Sequence, residues 1–235
     1  MAHFVDLHSH VLPGIDDGAR DLEQSGHMLR LLAAVGFSEV CATPHQKAVQ
    51  FLPSAAQIEA AYAAARTLGG PNLLLGAENF WDDVFFERAQ RRAIPSYTGG
   101  KAFLVEIPPQ LVPPRFEDSL FAERARGLLP VLAHPERYAE LCADLDRMAQ
   151  VGKTAALVVD LGALDGAHGW RESRAARKLV SEGLAHAVAS DVHAPDDVQR
   201  AAAGIAWLRR KLGEAAVRRL LEDHPRRILQ GELPE

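Results

Sequence analysis

Short apolar runs alternate with longer stretches of mixed polarity along the whole chain. Seven runs rich in Val, Leu and Ile are apolar at consecutive positions, which is typical of strands buried on both faces of a parallel sheet. They predict strands at Phe4–Leu7, Glu39–Ala42, Leu73–Leu75, Ala102–Ile107, Leu129–Ala133, Ala156–Leu161 and Ala185–Ala189. Apolar residues at helical spacing predict helices at Leu22–Val35, Ala55–Leu68, Phe116–Arg126, Ala139–Val151 and Arg171–Glu182, with further helices after Asp196.

This order of seven strands, each followed by helical sequence, indicates an α/β fold. Such a chain forms either a (β/α) barrel or a doubly wound sheet, and in both folds the functional site lies at the carboxyl ends of the strands. No linker, internal repeat or low-complexity tract interrupts residues 1–235. We therefore expect a single domain over the full length and a functional site built from whatever follows each strand.

Composition and charge exclude several classes of partner. The chain of 235 residues is 48% hydrophobic and 24% charged, and its net charge is -5. Without a basic stripe we expect no nucleic acid partner. Without an apolar run of about eighteen residues we expect no membrane insertion. The amino terminus lacks the pattern of a signal peptide, and two cysteines are too few for a disulfide framework. We expect a cytoplasmic protein.

Residue types that bind metal ions follow six of the seven predicted strands. In chain order they are His8, His10, Asp16, Asp17, His45, Glu78, Glu106, His134, Glu136, Asp191 and His193. The sixth strand ends in Asp160 and supplies little else. One histidine at a strand end is more often a core or capping residue than a ligand, but the recurrence at six ends is hard to explain by chance. The pair His8 and His10 is stronger evidence, since residues two apart in a strand share a face.

Five histidines lack such a position and are expected to be structural or solvated. They are His3, His27, His168, His186 and His224. Asp6 is expected to support the site from behind or to pack, rather than to hold an ion.

Imidazole and carboxylate ligands without a thiolate favour manganese, iron or zinc in a catalytic site with open coordination positions. Some nine candidate ligands are too many for one ion. Two or three ions that share bridging carboxylates would use them all. Such clusters catalyse phosphoester hydrolysis, because they stabilise both the attacking and the leaving oxygen.

The motifs resemble those of the PHP (polymerase and histidinol phosphatase) superfamily, and within it the CpsB/YwqE-like tyrosine phosphatases of capsule and exopolysaccharide operons. The resemblance rests on "DLHSHVLPGIDDGA", "CATPH", "GAE", "LVEIP", "AHPERY", "ASDVH" and "DHPRRIL". It implies a distorted (β/α)7 TIM-like barrel and three divalent metal ions, manganese in preference to iron, zinc or magnesium. It also implies a protein-tyrosine phosphatase in which a metal-bound hydroxide attacks phosphotyrosine, with the tail of a bacterial capsule kinase as the substrate.

The resemblance also implies roles for individual residues. The first ion would be held by His8, His10, Glu78 and Asp191; the second by Glu78 as a bridge, Glu106 and His134; and the third by Asp17, His45 and His193. Asp17 is chosen over Asp16 because it matches the motif position before Gly18. Arg137 would bind the substrate phosphate, since a guanidinium matches phosphate oxygens well. Group members often carry another arginine soon after the "SDxH" motif. Here Arg200 comes later, and whether it or Lys47 contacts phosphate stays open.

Three alternatives remain at this stage. Another PHP phosphoesterase, acting on histidinol phosphate or a nucleotide, would use the same metal ions. An amidohydrolase-type barrel also begins with HxH, but it usually has a carboxylated lysine on the fourth strand, where this chain has Glu106. A non-catalytic metal-binding regulator of a partner kinase is the third. A cysteine phosphatase is excluded because neither Cys41 nor Cys142 begins a C-x5-R motif.

Overall fold

The computed structural model describes residues 3–235, in which nine strands lie among ten helices. The strands are β1 (Phe4–Ser9), β2 (Phe37–Ala42), β3 (His45–Gln46), β4 (Asn72–Leu75), β5 (Glu78–Phe80), β6 (Ala102–Glu106), β7 (Leu129–Ala133), β8 (Ala156–Asp160) and β9 (Ala187–Ala189). The helices are α1 (Leu22–Val35), α2 (Ala55–Ala65), α3 (Asp83–Gln90), α4 (Phe116–Ala125), α5 (Ala139–Ala143), α6 (Leu145–Gly152), α7 (Leu161–Asp165), α8 (Trp170–Ser181), α9 (Pro195–Arg218) and α10 (His224–Leu229).

All the paired strands are parallel, as the sequence predicts, and they form two sheets. One sheet has the order β1-β2-β4 and the other the order β3-β5-β6-β7-β8-β9. The second and third predicted strands lie within β2 and β4, and each is followed after two residues by a further short strand, β3 and β5. A parallel bridge between Ser9 and Val192 brings the first strand beside the chain that leaves the last one. The α/β class is confirmed, and within the described residues the strands pair in two sheets that adjoin, instead of in one closed ring.

Apolar side chains cover both faces of the strands. One buried cluster gathers the side chains that point inward from the strands, including Val5, Leu7, Leu104, Val131 and Val158. A larger cluster lies between the strands and the surrounding helices. Neighbours in sequence alternate between the two clusters, since Val131 belongs to the inner one and Leu132 to the outer. This alternation follows from the two-residue period of a strand and explains the continuous apolar runs.

Two helical predictions need correction. The predicted helix Ala139–Val151 is divided into α5 and α6 at Asp144, whose backbone is extended and whose side chain accepts a hydrogen bond of 3.0 Å from the amide of Arg147. An aspartate in this position caps a new helix, and the periodicity of apolar residues does not reveal it. Helices α3 and α7 were not predicted because they are only eight and five residues long.

No helix of residues 3–235 has the length and apolar character needed to cross a membrane.

Candidate metal centre

The carboxyl ends of the strands meet around one cleft of about 290 Å³. All nine side chains that the sequence suggests as metal ligands lie in or directly below it. Seven of them line the cleft: Asp17, His45, Glu78, Glu106, His134, Asp191 and His193. His8 and His10 are buried below, with 2% and 1% of their surface exposed. Within the described residues, these side chains form four overlapping groups compact enough to hold a metal ion.

The first group surrounds the HxH pair. The Nε2 atoms of His8 and His10 are 3.1 Å apart. Oδ1 of Asp191 lies 3.3 Å from the first nitrogen and 3.6 Å from the second, and Oε2 of Glu78 lies 3.4 and 3.5 Å away. Tetrahedral ligands at about 2.1 Å from an ion are about 3.4 Å from one another. The spacing of these atoms therefore fits a bound cation.

The second group is centred on the carboxylate of Glu78, which is 1% exposed. Its Oε1 lies 2.9 Å from Nε2 of His134, and its Oε2 lies 2.7 Å from Nδ1 of His45 without the alignment of a hydrogen bond. Oε2 of Glu78, Oε2 of Glu106 and Nδ1 of His45 are all buried without a hydrogen-bond partner. A buried polar atom without a partner costs about 1–3 kcal/mol. Three such atoms close together fit a site that binds a cation.

The third group is the most exposed. Oδ1 of Asp17 lies 3.4 Å from Nε2 of His45 and 3.5 Å from Nε2 of His193, and His10 belongs to the same group. The ring of His10 stacks on that of His193 with their centroids 4.0 Å apart. The side chain of Asp17 is 49% exposed, so this end of the centre faces the solvent.

The loop after β1 explains why Asp16 and Asp17 have different environments. The amide of Ala19 donates a 2.9 Å hydrogen bond to the carbonyl of His10, so the loop folds back on the HxH pair. Only glycine fits at position 18, because a Cβ there would lie 2.1 Å from that carbonyl oxygen. Asp16 then accepts from the amide of His45 at 3.0 Å and pairs with Nδ1 of His10 at 2.8 Å, which turns Nε2 of His10 towards the centre.

Further contacts hold the candidate ligands in place from behind. Asp6 is fully buried and accepts hydrogen bonds from the amide and the hydroxyl of Ser190 and from the amide of His8, which agrees with the supporting role expected for it. His134 and Asp191 both have left-handed backbones, with φ of 33° and 48°. Such backbones are strained for residues other than glycine and are concentrated at functional sites.

Protons balance the carboxylates of the centre when no ion is bound. Burial by itself would lower the pKa of His8, but the carboxylates of Asp191 and Glu78 outweigh it and raise that pKa to about 9. Against the same effect of burial, Asp17 and Glu78 raise the pKa of His45 to about 11. Burial, together with the negative charge of Glu78, raises the pKa of Glu106 to about 7. A metal ion would have to displace these protons, because the deprotonated side chains are the ligands.

Arg137 enters the cleft from the short turn after β7. Its Nη2 lies 2.5 Å from Oδ2 of Asp191 and 3.3 Å from Oδ2 of Asp160, and the same nitrogen is 3.3 Å from Nε2 of His168. His168 and Asp160 are joined at 2.5 Å. Burial by itself would lower the pKa of Arg137, but Asp191 and Asp160 raise it well above its usual range, so the guanidinium is permanently charged.

Asp160 and His168 are therefore functional candidates that sequence reasoning undervalued. Asp160 ends β8 and has the same signal as the other strand-end residues. His168, expected to be structural or solvated, is 39% exposed and contacts Asp160. His168 comes eight residues later in a loop, and nothing in its sequence context reveals the contact with Asp160. The expected structural role agrees with the contacts of His186 and His224. Nδ1 of His186 accepts from the amide of Leu157, and Nδ1 of His224 bonds to the carbonyl of His186.

The two other cations considered for phosphate binding lie in different places. Lys47 lines the cleft, with Nζ 4.1 Å from the ring centroid of Phe80. Arg200 is exposed on α9 and does not line the cleft. Cys41 is fully buried in the inner apolar cluster, and burial raises the pKa of the Cys142 thiol to about 12. Neither cysteine has the environment of a reactive thiolate.

The sequence profile of a family described as capsular polysaccharide synthesis, CpsB/CapC, matches residues 4–230. The chain belongs to the CpsB/CapC family. The tyrosine-protein phosphatase YwqE of Bacillus subtilis is 34% identical over 197 residues, which cover 80% of this chain and 77% of YwqE. The tyrosine-protein phosphatase CpsB of Streptococcus pneumoniae is 24% identical, over 97% of this chain and 99% of CpsB. The predicted family is confirmed.

Solved structures agree with this assignment. A structure from a study of YwqE and CpsB, described there as unique metal-dependent tyrosine phosphatases, superposes with a TM-score of 0.85. It is 27% identical and covers 97% of this chain and 95% of its own. A dihydroorotase-like domain of Chaetomium thermophilum superposes with a TM-score of 0.60 at 12% identity, over 98% of this chain and 80% of its own. That domain is described as inactive, and the likeness shows the barrel-like fold alone.

Proposed function

We propose that this protein is a metal-dependent protein-tyrosine phosphatase. The observation that carries the proposal is the convergence of four histidine nitrogens and the carboxylates of Glu106 and Asp191 around Glu78, with buried polar atoms that have no other partner. The family supports it, since relatives similar over most of the chain are named tyrosine-protein phosphatases. A single PHP domain over residues 1–235 and a cytoplasmic location complete the proposal.

Three divalent ions, manganese in preference to iron, zinc or magnesium, would occupy the centre. The first would be held by His8, His10, Glu78 and Asp191; the second by Glu78, Glu106 and His134; and the third by Asp17, His45 and His193. When bound, such ions activate water at neutral pH and neutralise the charge that develops on a phosphoryl group. His10 also belongs to the third group and His8 to the second, so the three groups share side chains.

The protein itself binds and orients the substrate phosphate. Arg137 supplies a permanent positive charge at the edge of the cleft, and Asp160 holds its guanidinium in place. Oδ1 of Asp160 accepts from the amide of Gly162 at 2.6 Å, which leaves Oδ2 free to face Arg137 and His168. Lys47 also lines the cleft. A cleft open to solvent suits a phosphorylated side chain on a flexible segment, such as the tail of a capsule kinase.

Metal removal and substrate profiling test the proposal. The purified protein should contain divalent metal, lose phosphotyrosine-peptide hydrolysis after chelation and regain it when Mn²⁺ is added. Phosphotyrosine peptides should be cleaved faster than phosphoserine peptides, histidinol phosphate or nucleotides. Full activity without metal would refute the mechanism. Faster cleavage of histidinol phosphate would indicate an esterase of small phosphates instead. A metal-loaded protein without any phosphatase activity would favour a regulator of a kinase.

A further inference from the structure

One face of α8 carries three cations without acidic partners. Arg171, Arg174 and Lys178 are three and four residues apart, a spacing that puts them on the same side of a helix. All three are exposed, and within residues 3–235 none of them forms an ion pair. Because the whole chain has a net charge of -5, a cationic strip of this kind is not a consequence of composition.

These cations border a groove of about 370 Å³ that begins at the candidate metal centre. Arg137 lines both the metal cleft and this groove, so the two cavities share a wall. The groove lies between α5 and α8, and its small or apolar lining includes Ala139, Cys142, Ala143 and Ala175. Trp170 stands at its edge with 70% of its surface exposed. An indole so exposed beside a groove is typical of a binding surface, because burial of this side chain by a partner stabilises a complex strongly.

The charge of the groove is positive overall. Two acidic residues line it, Glu136 and Glu172. Glu136 is 3% exposed, so its carboxylate lies below the surface that a ligand in the groove would contact. The other acidic residue of the lining, Glu172, is outnumbered by the three cations of α8. The occupant that this arrangement fits is anionic.

We propose that the α8 groove, lined by Arg137, Trp170, Arg171, Arg174 and Lys178, binds an acidic segment of the substrate polypeptide next to its phosphotyrosine. The proposal rests on the function proposed above and names a determinant of its specificity. Residues 171 to 178 of a helix extend over about 10 Å, the length of about three extended residues. The three cations therefore extend along about three residues of an extended peptide whose phosphate reaches Arg137.

Binding of a peptide that cannot be hydrolysed tests the groove separately from turnover. The probe is a fluorescein-labelled peptide with phosphonomethyl-phenylalanine between two runs of three glutamates, and its partner has glutamines in their place. The proteins are the Mn²⁺-loaded wild type, R174E/K178E, and the matched control R210E/K211E, which changes the net charge equally on exposed positions of α9.

Fluorescence anisotropy should show that R174E/K178E raises the Kd of the acidic peptide about tenfold, with a smaller effect on the glutamine peptide and on the control. The difference between the peptides should shrink between 50 and 500 mM NaCl, because salt screens exposed charges. Trp170→Ala should weaken both peptides. Unchanged hydrolysis of a small aryl phosphate by R174E/K178E would show that its metal centre is folded.

Three results would overturn the groove proposal. The first is equal affinity of R174E/K178E and the wild type for the acidic peptide. The second is an equal loss in R210E/K211E, which would indicate a long-range effect of net charge. The third is a groove that binds phosphatidylglycerol vesicles through Arg174 and Lys178 but does not discriminate between the peptides. A wild type that binds the acidic peptide but hydrolyses no phosphotyrosine would refute the proposed function and leave the groove standing.

Discussion

The two ends of the strands, a few residues apart along the same chain, have opposite chemistry. In β1, Val5 and Leu7 are fully buried in the inner apolar cluster, whereas His8 and His10 reach the metal centre. In β7, Val131 belongs to the apolar cluster, and His134 follows the last residue of the strand. The register of β1 against β2 shifts between Asp6 and Ser9, where the side chains change from one role to the other.

This difference shows how the fold tolerates an unfavourable site. Burial of apolar side chains contributes roughly 1.5–3 kcal/mol each when complete, and the amino-terminal ends of the strands have many of them. At the carboxyl ends, carboxylates and imidazoles are buried together, atoms of Glu78 and Glu106 lack hydrogen-bond partners, and His134 and Asp191 have strained backbones. Substitutions at one end should therefore change stability, and substitutions at the other should change metal binding and catalysis.

Glu78→Ala should have the largest effect on the catalytic end. Because Glu78 lies between the first and second groups, its loss should release two ions together. Nearly all turnover should be lost as a result. Asp17→Ala is the matched comparison and should release one ion. Metal counts per chain measure both variants, and equal losses from the two would contradict the bridging role of Glu78.

Arg137→Ala should come next, because Arg137 binds the phosphate and not the metal ions. It should lower kcat/KM for peptides and small aryl phosphates alike by about 2–4 kcal/mol, with unchanged metal content. Asp160→Asn keeps Arg137 but removes the negative charge that orients its guanidinium. This variant should lower kcat/KM about tenfold. If Arg137→Ala lost metal ions as well, a structural role of the ion pair with Asp191 would be the better explanation.

Leu104→Ala tests the apolar end. Leu104 is 1% exposed in the inner cluster, so the cavity should lower the free energy of unfolding by about 2–5 kcal/mol. Phe121→Ala, on the exposed surface of α4, should change it by less than about 0.5 kcal/mol. Chemical denaturation measures both variants. Metal stoichiometry at 25 °C should stay unchanged in the folded Leu104→Ala protein, and loss of ions there would show that the two ends are not independent.

Metal binding should release protons, and it should weaken as the pH falls. With pKa values raised to about 9 and about 11, His8 and His45 are protonated at pH 7 in the metal-free protein. Each displaced proton weakens apparent affinity by up to about tenfold per pH unit of acidification below the pKa. Calorimetry in buffers with different ionisation enthalpies counts the protons, and His45→Gln should release one fewer. A heat of binding that is independent of buffer would contradict this account.

The smallest catalytic effect should come from the cysteines. The double variant Cys41→Ala/Cys142→Ala should keep kcat within about tenfold of the wild type, because neither thiol lies among the candidate ligands. Some stability should be lost, since Cys41 is buried in the inner cluster. A folded double variant without activity would require a different nucleophile.

The sequence by itself determined the order of the main strands and helices, the fold class, the family and the set of candidate ligands. These features are local: apolar runs of strand length, helical periodicity, and His, Asp and Glu directly after strands. Because the carboxyl ends of parallel strands meet, residues such as His45 and His134 could be assigned to one site from positions far apart in the chain.

Only the tertiary structure decided which of those residues contact one another. It adds β3 and β5 after the second and third predicted strands, brings His10 near Asp17 and His193, and puts His168 on Asp160 beside Arg137. It also joins the cationic face of α8 to the metal cleft through Arg137. The physical reason is that such contacts depend on loop paths and on packing between distant segments, and a local pattern of residue types contains no distance across the fold.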